Sequence, residues 1–189
     1  VIDDVKDGLH TYPKKMHGDV AILLVGAFMP TLTATEYLSV FHKKDTGKIP
    51  DCNLQNEKNT IDTLLALHKE GLVLSAKDLS LGGLLVALAK MSIQGEMGIS
   101  VDLSSLQNGI SRLDKLLFGE TGASFIISTN VNSVEKTKTA FASKGLQTYQ
   151  IGKFSKAKSL ELNLNEGKVD WKFDDLQLSF ESGLISTFQ

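Results

Sequence analysis

Five residues in one short stretch could do chemistry. They are Lys77, Asp78, Ser80, Gly82 and Gly83, within "SAKDLSLGGLLVALAKM" at 75–91. An apolar run ends there and a strongly helical stretch follows at once. A helix starting near Gly82 or Gly83 exposes its first N–H groups, and its dipole puts partial positive charge at that end. Two adjacent glycines let the backbone approach a ligand without a Cβ in the way. Lys77 adds a cation, and Asp78 and Ser80 can cap the helix, accept ligand hydroxyls or help hold a metal. This is the chemistry of a seat for phosphate or nucleotide. The same residues also make up a plain N-cap and tight turn, and the local pattern leaves both open.

Two other polar interruptions are weaker candidates for a cleft. In "LLFGETGASF" (116–125), Gly119, Glu120 and Gly122 lie between a helix and a buried strand, where a helix stop and turn also explain them. In "TATEYL" (33–38), Glu36 lies just inside a helix start, where a carboxylate also favours the helix dipole. No catalytic residue is predicted. His68 sits on an apolar helix face as a satisfied core or rim residue, and Cys52 lies in a polar segment with no local base. His10, His17, His42 and His68 have neither HExxH nor HxH spacing, so no metal site is predicted.

The elements that must position these loops follow from hydrophobic period. "DVAILLVG" (19–26) reads as a buried strand. Residues 33–44 read as a short helix capped by Thr33 or Thr35, and 45–51 as a connection. Leu54, Ile61, Leu64, Leu65 and His68 place a helix over 54–70 that Gly71 stops. A strand is expected at 72–76, and a helix at 83–94 closed by Gly95. Strand 99–103, helix 110–117, strand 124–129, helix 132–144 ended by Gly145, and strand 146–154 follow. Leu160, Leu162 and Leu164 alternate against Val169, Trp171 and Phe173, which predicts a hairpin over 159–173. Asp174 or Asp175 would cap a last helix to about 185. The fold class is α+β, with helices packed on one mixed sheet. Residues 1–18 read as an opening segment or linker and 19–189 as one domain.

The 189 residues, 42% of them hydrophobic, suffice for one substantial core or at most two small ones. The 20 basic and 22 acidic residues describe a solvated surface and give no support to a nucleic-acid partner. Arg112 is the only arginine, so an anion site would rest mainly on Lys and backbone N–H groups. One cysteine excludes an internal disulfide, and a reducing, cytoplasmic setting is the default. The longest apolar run is too short to span a membrane. The chain begins with Val rather than Met, as a piece of a longer protein would.

In this order, "GDVAILLVG", "TEYL", "GLVLSAKDLSLGGLLVALAKM", "ISVDL", "LFGETGASFIIS" and "QIGKF" resemble the C-terminal domain of the AIR-synthase-related superfamily. Within it they are most similar to the phosphoribosylformylglycinamidine synthases. The "LFGE" and "EYL" blocks favour that family over aminoimidazole ribonucleotide synthetase, selenophosphate synthetase, thiamine-monophosphate kinase and the hydrogenase maturation factor. The resemblance implies a glutamine-dependent carbon–nitrogen ligase of purine biosynthesis. In such enzymes ATP activates the amide oxygen of formylglycinamide ribonucleotide, and ammonia from a glutaminase subunit or domain displaces the phosphate. It also implies that ATP and Mg2+ are held mainly by N-terminal synthetase domains outside this chain, and that this domain alone is inactive. Asp78, Ser80, Gly82 and Gly83 carry over as residues lining the cleft near phosphate, with Lys77 beside them and Glu120 more weakly. Three departures stand out. Lys77 replaces a frequent His, "LTATEYL" lacks a glycine-rich approach, and Ser124 falls where the family has Arg. An ATP-dependent relative with another small substrate, or a packing module that binds nothing, is left open. An isolated domain would expose apolar surface, so self-association is expected.

Overall fold

Strand β1 (Val20–Gly26) is buried along its whole length, as its unbroken apolar run requires, because helices cover both faces of the sheet around it. The structure, a computed structural model, describes residues 8–14, 16 and 18–185. After β1 come α1 (Glu36–His42), α2 (Leu54–Lys69), β2 (Ser75–Asp78), α3 (Gly83–Gly95) and β3 (Gly98–Asp102). Then follow α4 (Ser104–Gln107), α5 (Leu113–Phe118), β4 (Ser124–Asn130), α6 (Val134–Ala142), β5 (Gln147–Ser155), β6 (Ser159–Leu164), β7 (Gly167–Lys172) and α7 (Phe173–Ile185).

The strands form a seven-stranded sheet in the order β2-β4-β1-β5-β3-β6-β7. Neighbours are antiparallel except β3 and β6, which run parallel. The mixed sheet and α+β class therefore match the expectation. Alternation along β1 splits the interior in two. Ile22 and Leu24 point to one core with Leu84, Leu88 and Met91 of α3 and Leu116 of α5. Leu23 and Val25 point to the other, with Leu64 and Leu67 of α2 and Phe141 of α6. Each such side chain contributes about 1.5–3 kcal/mol when buried.

Local signals act where period and capping coincide. Asn53 Oδ1 accepts the Asn56 N–H at 3.0 Å and starts α2. Thr35, not Thr33, caps α1, its side chain accepting from the Leu38 N–H. Gly71 (φ +70°) ends α2 with the Leu72 N–H on the Leu67 carbonyl at 2.9 Å. Gly145 (φ +72°) ends α6 the same way, with the Leu146 N–H on the Phe141 carbonyl at 3.1 Å. The hairpin register is as expected, Leu160 facing Trp171 and Leu162 facing Val169.

Four boundaries differ from the sequence-based expectation. β2 starts at Ser75 and takes in Lys77 and Asp78, which pair with Ile126 and Phe125. As an edge strand it tolerates polar residues that hydropathy assigns to a loop. The helix expected over 110–117 is α5, which starts only at Leu113, and a further short helix, α4, precedes it where no helix was expected. The left-handed residue after α3 is Glu96 (φ +51°), not Gly95. A Cβ on Gly95 would lie 3.1 Å from Tyr12 Cβ, so glycine there makes room for the opening segment. α7 begins at Phe173 directly after β7, leaving Asp174 and Asp175 in its first turn rather than at its cap.

Part of the opening segment lies along the outer edge of β2. The His10 carbonyl accepts the Ala76 N–H at 2.8 Å, and Thr11 Oγ1 donates to Gln94 Oε1 at 2.6 Å. Residues 1–7, 15 and 17 of that segment and 186–189 at the other end lie outside the described residues.

Candidate functional site

The three polar interruptions meet at one point, and Glu120 joins them. Its backbone pairs with Thr31 in both directions, N–H to carbonyl at 2.9 and 3.0 Å. Its side chain crosses the gap between two loops. Oε1 accepts the Glu36 N–H at the start of α1 and the Gly82 N–H before α3, each at 3.0 Å. Each is a charge-assisted hydrogen bond.

Gly119 fits this turn because a Cβ would lie 2.3 Å from the Lys115 carbonyl oxygen and 2.7 Å from Pro30 Cβ. Gly83 is fitted against the same turn. A Cβ there would be 2.6 Å from the Gly119 carbonyl oxygen, and φ is +70°. The glycine pair thus serves close packing of α3 on the "FGE" turn. The amides it exposes are largely engaged by the protein itself, since Gly83 N–H goes to the Ser80 carbonyl at 3.1 Å and Gly82 N–H to Glu120. Gly82 is the N-cap residue of α3 and neither Asp78 nor Ser80 caps it with a side chain.

Between these loops lies a cleft of about 390 Å³. Thr31 and Thr33 stand on one wall, Leu79, Ser80 and Leu81 on the other, and Glu120 and Thr121 join them. Ile49 and Pro50, from the connection after α1, also line it. Of the predicted residues, Ser80 and Glu120 line the cleft, whereas Lys77, Asp78, Gly82, Gly83 and Glu36 do not. Glu36 contributes its backbone N–H; its residue is exposed. Sequence reasoning missed Thr31, Thr33 and Thr121. The hydroxyl-rich run "TLTAT" was the available signal. Thr31 Oγ1 and Thr33 Oγ1 share a hydrogen bond of 2.9 Å, and Thr33 Oγ1 donates to the Lys48 carbonyl at 2.9 Å.

Lys77 and Asp78 form an ion pair with each other at the end of β2. Partial burial works against the Asp78 charge. Hydrogen bonds from Lys77 and Ser80, with the Lys77 charge, outweigh it and hold the carboxyl below its usual range. Asp78 therefore stabilises the fold above its ordinary titration range, and that contribution disappears as pH falls through and below it. Asp78→Asn is expected to flatten the acid limb of the stability–pH curve below about pH 4. Thermal melts on the acid side check this, and solvent screening keeps the effect small.

The arrangement can hydrogen-bond a polar ligand through the hydroxyls of Thr31, Thr33, Ser80 and Thr121, while the one carboxylate on the cleft, Glu120, is engaged by backbone amides. Among the described residues no three His, Cys, Asp or Glu side chains could hold a metal ion together. Arg112 is occupied by Asp114, at 2.5 Å from Nη2. His68 Nδ1 meets the Val73 carbonyl at 3.0 Å, and Cys52 is a free, exposed thiol. With Glu120 already at the Gly82 amide, these residues do not make a complete triphosphate or metal site.

The family "AIR synthase related protein, C-terminal domain" matches residues 17–165. The chain belongs to this family. Its AIR synthase related domain is 50% identical over 189 residues to phosphoribosylformylglycinamidine synthase subunit PurL of Leptospira biflexa, covering all of this chain and 25% of that protein. The chain thus spans a quarter of the length of that curated relative. T. maritima PurL complexed with FGAR superposes with a TM-score of 0.76 at 17% identity, over 92% of this chain and 30% of that one. T. maritima PurL complexed with ATP gives 0.73 at 17% identity, over 92% and 28%. At such identities these two show the fold. Among the described residues no helix is long and apolar enough to cross a membrane.

Proposed function

We propose that this AIR synthase related domain is one wall of the substrate cleft in a cytoplasmic phosphoribosylformylglycinamidine synthase. The intact enzyme would be a carbon–nitrogen ligase of purine biosynthesis. It would use ATP and glutamine-derived ammonia to turn formylglycinamide ribonucleotide into formylglycinamidine ribonucleotide. The observation that carries this is the 50% identity to the Leptospira biflexa synthase subunit across the whole chain. The FGAR and ATP complexes of the T. maritima protein support the choice of ligands. The cleft's rim supports a covering domain. Ile49 is 75% and Leu81 61% exposed around a polar floor, as befits a ligand site at a domain boundary.

In this reading, as the resemblance to the family implies, ATP and Mg2+ would be held mainly by N-terminal synthetase domains outside this chain. The ammonia belongs to a glutaminase partner. The domain alone is inactive, and its exposed apolar residues favour self-association when it is isolated.

Ser80 is exposed and lines the cleft, so a bulky side chain there should fill the opening without disturbing the fold. Ser80→Phe in the full-length enzyme is expected to raise the KM for formylglycinamide ribonucleotide or ATP about tenfold, equivalent to about 1.4 kcal/mol. If both KM values stay at wild type, the cleft assignment is wrong. In that case a packing module that binds nothing is favoured, a reading supported by Gly83 lying against the Gly119 carbonyl.

A further inference from the structure

Glu120 joins all three loops by hydrogen bonds. Its backbone holds Thr31, and its Oε1 holds the Glu36 N–H and the Gly82 N–H. Among the described residues no other hydrogen bond joins 31–36 directly to 79–83. Neither Asp78 nor Ser80 caps the start of α3, and the carboxylate comes instead from a turn 38 residues away. Thr31, Thr33 and Ala34 on one side of the cleft, and Leu79, Ser80 and Leu81 on the other, are therefore tied through one carboxylate oxygen.

We propose that Glu120 is a positioning residue for the cleft: a built-in anion that takes the helix-terminal amide a ligand would otherwise use and locks the two walls at a fixed spacing. This rests on the cleft assignment made above. An acceptor with a carbonyl-type oxygen is what the two N–H groups need. Negative charge strengthens the clamp but is not required for its geometry. An incoming ligand then finds Ser80 and the threonine hydroxyls already set opposite each other, and the ordering cost is met in folding rather than in binding. Glu120 acts through these groups and not on the ligand.

Two measurements on the full-length enzyme test this. The first is amide hydrogen exchange. Glu120→Ala should speed exchange at both Gly82 and Glu36 at least tenfold, while Leu23 in the sheet centre is unchanged. If only one amide responds, or neither, the clamp does not exist, whatever the enzyme's substrate proves to be. The second is kinetic. Glu120→Ala should raise the KM for formylglycinamide ribonucleotide or ATP about tenfold, with kcat within threefold of wild type. Glu120→Gln keeps an oxygen acceptor and should restore KM to within threefold. A Gln variant as impaired as the Ala variant makes Glu120 a charge that meets ligand or metal directly and overturns the positioning role. Altered exchange with KM unchanged in both variants overturns the functional role and leaves only a structural clamp. Loss of the KM effect in Ser80→Phe as well would place the fault in the cleft assignment itself.

Discussion

Gly83→Ala is expected to destabilise the domain by about 3 kcal/mol or more, well beyond the usual effect of a methyl group. The added Cβ would lie 2.6 Å from the Gly119 carbonyl oxygen and 2.7 Å from the Phe118 carbonyl carbon. Both are backbone atoms, so no rotamer change relieves the contact, and φ of +70° disfavours any side chain. Either α3 must shift along the sheet or the turn carrying Glu120 must move. Gly82→Ala is the informative neighbour. There the Cβ would meet Val86 Cγ2 at 2.7 Å and Val86 Cβ at 2.9 Å, atoms one turn along its own helix, so a small shift of the first turn rather than of α3 against the sheet relieves it, with φ of +85°. Its expected cost is about 1–2 kcal/mol. Urea denaturation of both variants checks the difference. Equal, small losses would show that α3 does not approach the 118–119 backbone as closely as described. In the full-length enzyme Gly82→Ala should stay folded, so its KM values separate a role in packing from one in ligand approach.

The second large effect belongs to the other side of the sheet. Phe141 is fully buried among Leu23, Val25, Leu64, Leu67 and Val134. Phe141→Ala removes most of a ring from a packed layer and should cost about 3–5 kcal/mol. For a domain of this length that lowers Tm by about 10 °C. This core lies across the sheet from the α3 layer. KM values in the full-length enzyme should therefore stay at wild type at temperatures where the variant is folded. A calorimetric loss below about 1 kcal/mol would mean that α6 is not seated as described.

These two cases show what the sequence could and could not reveal. β1, α2, the β6–β7 register and the stops at Gly71 and Gly145 were legible because each is set by period or by a cap within a few residues. The three polar interruptions were also visible as separate loops. Their meeting was not, since the bonds from Glu120 span 38 and 84 residues and depend on how the sheet brings the loops together. The double glycine was ambiguous for the same reason. An amide free for a ligand and a glycine pressed on a distant carbonyl look alike in sequence. The end of β2 was misplaced because Lys77 and Asp78 lie on an edge, where burial no longer selects apolar residues. The single turn of α4 was not foreseen because four residues (Ser104–Gln107) are too few to show a helical period, and α5 begins later than expected, at Leu113.

The position of β1 in the sheet bears on how the chain is made. Among the described residues it is the first strand of the domain to be synthesised, yet its neighbours β4 and β5 begin more than about a hundred residues later. At about 5–20 residues per second, translation leaves "VAILLVG" without its ladder for several seconds or longer. A nascent chain of this kind offers a ready binding segment to chaperones. Slowing elongation between β1 and β4 should favour aggregation over yield.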